Sequence, residues 1–222
     1  MIAASGILLR RHRFPTSNVT RRHRLARAGA NLTGATGAAF FVRAGLQHFL
    51  ATRSAIGAGF VVAQVWVVIA YLVRRPPTAV TTRARHWLVA FGGTFGGVLL
   101  RPSGWHSALG VIVGTVLQGG GLVLAAAALV TLGRSFGFAA ADRGLKVTGP
   151  YRAVRHPLYG AYVLLQLGYL AQSVSVSNVV VVAVVISCDV ARALAEEQLL
   201  KANATYRDYC ARVPWRLVPG LW

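Results

Sequence analysis

Acidic side chains are scarce in this sequence: five Asp and Glu stand against 24 Lys and Arg, for a formal net charge of +19. All five, Asp142, Asp189, Glu196, Glu197 and Asp208, lie after residue 141, so carboxylate chemistry is confined to the C-terminal third. Charge of either sign is sparse too. Only 13% of residues are charged and 55% are hydrophobic, with a mean hydropathy of +0.54, which excludes an ordinary soluble domain. The two cysteines, Cys188 in an apolar run and Cys210 near the basic tail, show neither a disulfide framework nor a metal-ligand spacing. The apolar stretch at 2–9 is short, lacks a preceding positive region and is followed by arginines, so it reads as cytoplasmic tail rather than secretory signal.

What is present is a series of apolar runs separated by arginines. In a polar chain this basic excess would point to nucleic acid. Here the arginines flank hydrophobic spans, where they set orientation and meet anionic lipid headgroups, and no nucleic-acid partner is expected. Residues 10–27 hold seven arginines and no acid. Uncharged runs follow at 28–42, 54–73, 86–100 and 105–132, the last containing Gly119, Gly120 and Gly121 as a bend or a close helix contact. Residues 156–188 carry no Lys, Arg, Asp or Glu but hold a polar cluster, Gln172 to Asn178, which reads as the turn of a helical hairpin. The β-branched stretch at 179–186 is assigned to helix, because an isolated strand leaves its backbone unsatisfied in lipid.

The expected fold is an all-α polytopic bundle of about five to six spans, including that hairpin. Its parts are a basic cytoplasmic tail at 1–27, four spans over 28–133 and a C-terminal region at 134–222. Counting charges by side puts residues 10–27, 74–85, 134–155 and the C-terminal tail on one face, against Arg43, Arg53 and Arg101 on the other. Both termini are therefore expected in the cytoplasm.

Residues 149–160, GPYRAVRHPLYG, break the membrane pattern. Two prolines and two glycines among Tyr, Arg and His make an ordered loop. Pro157 suits the first turn of a helix, so Arg155 and His156 would sit at a helix mouth, near backbone donors able to hold an anion. Farther on, Asp189, Arg192 and Glu196 share one helix face, with an intrahelical Asp189–Arg192 ion pair expected, while Glu197 turns to the neighbouring side. The adjacent pair Glu196–Glu197 supplies negative charge where a cation could be held.

The GPYRAVRHPLYG segment, the hydrophobic hairpin, Glu196–Glu197 and then Tyr206, Tyr209 and a proline-containing tail together resemble the superfamily of isoprenylcysteine carboxyl methyltransferases and phospholipid methyltransferases. The resemblance covers the chain from Leu132 onward. It implies a cytoplasmic S-adenosylmethionine pocket formed by Tyr151, Arg155, His156, Pro157, Tyr159, Glu196 and Glu197, with Arg155, His156 and Glu197 as catalytic residues and no metal. It also implies a lipophilic or small acceptor. In that family a Gly commonly stands two residues after the motif Tyr; here Gly160 follows Tyr159 directly and Ala161 holds that position. A carboxylate acceptor needs no base, whereas a thiol or amine would take His156 or a glutamate as one. Two other readings remain open: a non-catalytic membrane binding or assembly protein on this scaffold, and a related nicotinamide-dependent membrane reductase.

Overall fold

The computed structural model describes residues 21–75, 79–81, 83–103, 107–137, 141–142 and 144–222. The stretch at 2–9 and the arginines at 10–13 lie outside the described residues. Among the described residues there are seven α-helices: α1 (Arg21–Thr52), α2 (Ala55–Val73), α3 (Ala84–Phe95), α4 (Ala108–Leu132), α5 (Pro157–Gln172), α6 (Val176–Leu200) and α7 (Ala204–Arg212). The remaining regular structure is a few 3-10 turns and a two-residue antiparallel ladder of β1 (Ala79–Val80) on β2 (Ala141–Asp142).

Local chemistry explains the helix starts. Ser54, Ser107 and Ser175 each accept a hydrogen bond from the backbone N–H three residues on, which opens α2, α4 and α6 with a side-chain cap. Pro157 opens α5, where a missing N–H costs nothing. The first helix runs through Arg43 and extends beyond the uncharged run at both ends; it stops at Arg53, whose φ is 52°.

Among the described residues, three helices are long and apolar enough to cross a membrane: Ala55–Val73, Ala108–Ser135 with its closing 3-10 turn, and Val176–Leu200. The other hairpin arm, α5, is 16 residues long, and α3 is extended by a 3-10 turn at Gly96–Leu99. Large apolar side chains such as Leu88, Val116 and Val123 project outward from these helices, as lipid-facing residues do. The expected hairpin is present, with its turn between Gln172 and Val176.

Helices α4 and α5 make the closest contact in the bundle. A Cβ on Gly168 would lie 2.8 Å from the Gly114 carbonyl oxygen, so only glycine lets the two backbones approach this way. Of the three consecutive glycines, Gly121 alone faces a tight contact, with a Cβ there 3.1 Å from the Ala161 carbonyl oxygen. Ala161 itself is fully buried in the cluster of Ala35, Tyr71, Ala125, Ala128, Leu129 and Leu158, so its methyl is a core contact.

The loops gather at two ends. At one end the β1–β2 ladder ties the α2–α3 and α4–α5 connections, and the Arg75 N–H donates to the Arg134 carbonyl at 2.7 Å. At the other end the buried Asn178 amide clasps the α3–α4 connection. It donates to the carbonyls of Arg101 and Ser173, both at 2.7 Å, and accepts from the Arg101 N–H at 3.1 Å.

Candidate functional site

The first end of the bundle holds a cavity of about 120 Å³ between α5, α6, α7 and the connection that follows α4. Its wall carries five tyrosines, Tyr151, Tyr159, Tyr162, Tyr206 and Tyr209, and one acidic group, Glu196. Lys146, Arg155, His156 and Arg192 also line it, with Leu132, Phe136, Leu145, Leu158 and Leu200 as apolar wall. A cavity with aromatic faces, one carboxylate and several cations suits a ligand that carries charge of both signs.

The loop residues reach this cavity because Gly149–Arg152 forms a 3-10 turn and Pro157 then starts α5, leaving Arg155 and His156 at the helix mouth. The backbone N–H groups of these two residues are not open to a ligand. Arg155 donates to the Trp215 carbonyl at 2.9 Å and His156 to the Arg216 carbonyl at 2.8 Å, so the C-terminal tail occupies them. An anion at this mouth would meet side chains rather than these two amides.

The two glutamates divide the space as their 100° helical offset requires. Glu196 faces the cavity, its Oε1 accepting from the Tyr159 hydroxyl at 2.5 Å and its Oε2 3.8 Å from His156 Nδ1. Glu197 is 1% exposed and lies behind the cavity wall. Its Oε1 takes Arg155 Nη1 at 2.7 Å, Arg216 Nε at 3.2 Å and His156 Nε2 at 3.4 Å, while its buried Oε2 has no hydrogen-bond partner. Arg155 is held further by donating from Nε to the Val213 carbonyl at 3.0 Å and from Nη2 to the Pro214 carbonyl.

Behind Tyr159 runs a second polar chain along α6. The Arg192 guanidinium stacks 5.0 Å from the Tyr159 ring centre, and its Nη1 lies 3.3 Å from Asp189 Oδ1 and 3.4 Å from Thr94 Oγ1. Gln166 donates to the other Asp189 oxygen at 3.4 Å. The expected intrahelical pair is thus present, and it also props the ring whose hydroxyl holds Glu196.

Helix α7 closes the far wall. The buried Tyr209 hydroxyl donates to the Tyr151 carbonyl at 2.7 Å, and burial pushes its phenol up to about 12. Burial also raises the Tyr151 phenol well above its ordinary value, so these rings stay neutral donors.

All seven residues singled out in the sequence meet here. Tyr151, Arg155, His156, Tyr159 and Glu196 line the cavity; Glu197 holds Arg155 from behind it, and Pro157 is buried at the start of α5 outside the lining. Sequence reasoning assigned no site role to Arg192, Lys146, Tyr162 or Arg216. Arg192 carried a usable signal, since it precedes Glu196 by four residues on one helix face. Arg216 carried none, because its partner lies 19 residues away across a turn of chain.

Fold and site together define a helical membrane protein with a mixed-charge aromatic cavity at one end of the bundle. Residues 109–206, from α4 into α7, match the phospholipid methyltransferase (PEMT) family. Comparison with curated proteins finds no match.

Proposed function

We propose that the protein transfers a methyl group from S-adenosylmethionine to a lipophilic or small acceptor at the cytoplasmic face of the membrane. The observation that carries this reading is the junction of the GPYRAVRHPLYG loop with Glu196 through the Tyr159 hydroxyl, on the wall of a cavity whose lining, Tyr209 apart, lies within the matched family region. The donor's groups fit the residues present. A sulfonium and an ammonium suit the tyrosine faces and Glu196, and a carboxylate suits Arg155, Lys146 or His156.

Bound S-adenosylmethionine supplies an electrophilic methyl on a positively charged sulfur. Glu196 and the tyrosine faces would hold that sulfonium beside the acceptor. The chain's task is to align the two and keep water out. A carboxylate acceptor releases no proton; a thiol or amine passes one to His156 or Glu196, the lining groups able to take it. In this reading Arg155 and His156 touch ligand, and Glu197 orients both. The acceptor class extends to isoprenylcysteine-type carboxylates, lipids and thiols. Both termini face the cytoplasm, where the arginines meet anionic lipid headgroups.

The test is calorimetric titration of the folded, purified chain with S-adenosylmethionine and its demethylated product, followed by incubation of membranes with methyl-labelled donor. Saturable binding of both compounds and a labelled product are expected. Absence of binding by folded protein overturns the reading.

A further inference from the structure

The C-terminal tail lies beyond the family-matched residues 109–206, yet it touches the centre of the site. Three carbonyls in succession, those of Val213, Pro214 and Trp215, accept hydrogen bonds from Arg155, and the next, Arg216, accepts from the His156 N–H. The Leu217 carbonyl then crosses α5 so closely that a Cβ on Gly160 would sit 3.3 Å from it. Beyond it the tail closes on itself, with the N–H groups of Arg216, Leu217 and Val218 converging on the Trp222 carbonyl at 2.8–3.3 Å. The Arg216 guanidinium stacks 5.0 Å from the Trp222 ring centre.

This path delivers one more cation to Glu197. Arg216 Nε lies 3.2 Å from the same carboxylate oxygen that binds Arg155, and Arg216 is 27% exposed in its side chain where Glu197 is 1% exposed. Arg155 and His156, neighbours at the mouth of α5, reach that oxygen from one side; Arg216 reaches it from the tail, and a carboxylate held from two sides through one oxygen keeps the other in a defined direction. We infer that Arg216 is a positioning residue for the donor site, fixing Glu197 and through it Arg155 and His156, with the tail as the strap that presents it. The inference rests on the methyl-donor reading. A side chain at Gly160 would crowd the strap where it passes over the first turn of α5.

The experiment compares wild type, Arg216→Ala and Arg216→Lys, all in a Cys188→Ser background, by donor calorimetry, steady-state methyl transfer and thermal melting. Arg216→Ala is expected to weaken donor binding about tenfold, the loss of one charge-assisted hydrogen bond, with KM rising more than kcat falls. Arg216→Lys is expected to restore most of that loss. Unchanged donor affinity in folded Arg216→Ala overturns the inference, as does a lowered melting point with normal affinity, which marks a merely structural tail. A second arm needs no donor. Cys210 Sγ lies 3.7 Å from Arg155 Nη1, so its alkylation rate reports movement of that guanidinium. A rate altered in Arg216→Ala and restored in Arg216→Lys supports positioning; one rate in all three proteins overturns it. If wild type binds no donor, the methyl-donor reading falls, and the alkylation arm still decides whether Arg216 holds the cluster.

Discussion

The two ends of the helix bundle both bury polar side chains, and they use them differently. At the hairpin-turn end, Asn178 donates twice and accepts once, and Ser173 Oγ accepts from the Ser103 N–H at 2.7 Å. The clasp is neutral and closes on backbone. At the cavity end two guanidiniums and an imidazole crowd one buried Glu197 oxygen, and the other oxygen is left over. Polar groups that serve only the fold satisfy one another, whereas a site holds capacity in reserve.

Substitutions can break this contrast. The largest effect is expected from Glu196→Gln, which keeps the bond from Tyr159 but removes the cavity's carboxylate: kcat/KM for methyl transfer falls about 100-fold, as for a misaligned reactant, while the melting temperature barely moves. A comparable loss of thermal stability would place Glu196 with the structural groups. Asn178→Ala should do the reverse. It strands the Arg101 and Ser173 carbonyls and costs roughly 2–3 kcal/mol in chemical denaturation, with donor affinity unchanged. A change in donor affinity would show the two ends to be coupled.

Gly114→Ala probes the contact between the ends. It forces α4 from α5 against the Gly168 carbonyl and should cost about 1–2 kcal/mol by the same measurement. The smallest effect is expected from Tyr209→Phe, about 1 kcal/mol for one lost hydrogen bond. Its diagnostic is pH. Burial raises the Tyr209 phenol from 10.0 to about 12, so the folded chain holds the proton more tightly than the unfolded one. That contribution is complete below pH 10 and disappears as pH rises toward 12. Phe at this position should remove that share of the alkaline loss; an unaltered pH profile would exclude Tyr209 as its source.

Much of this molecule was legible in one dimension because its signals are local. Serine caps and Pro157 mark helix starts with chemistry contained within a few residues, whereas α1 runs past its uncharged stretch at both ends. The hairpin turn was marked by Gln172 to Asn178, and the separate directions of Glu196 and Glu197 follow from helical geometry alone. Of the segments sorted by charge, 74–85 and 134–155 meet at the β1–β2 ladder, and Arg101 meets the Asn178 clasp.

The sequence by itself determined a helical membrane chain, a hairpin, and a loop and two glutamates suited to one another. Only the tertiary structure decided which glutamate meets the cavity and which is enclosed behind it, that Arg192 supports Tyr159, and that the tail takes the amides of Arg155 and His156. The physical reason is that a helix specifies the angles between its own side chains, whereas its rotation about its axis is set by what packs against it. Arg216 reaches Glu197 for the same kind of reason: a contact made through a folded turn of chain leaves no periodic trace in the residues that make it.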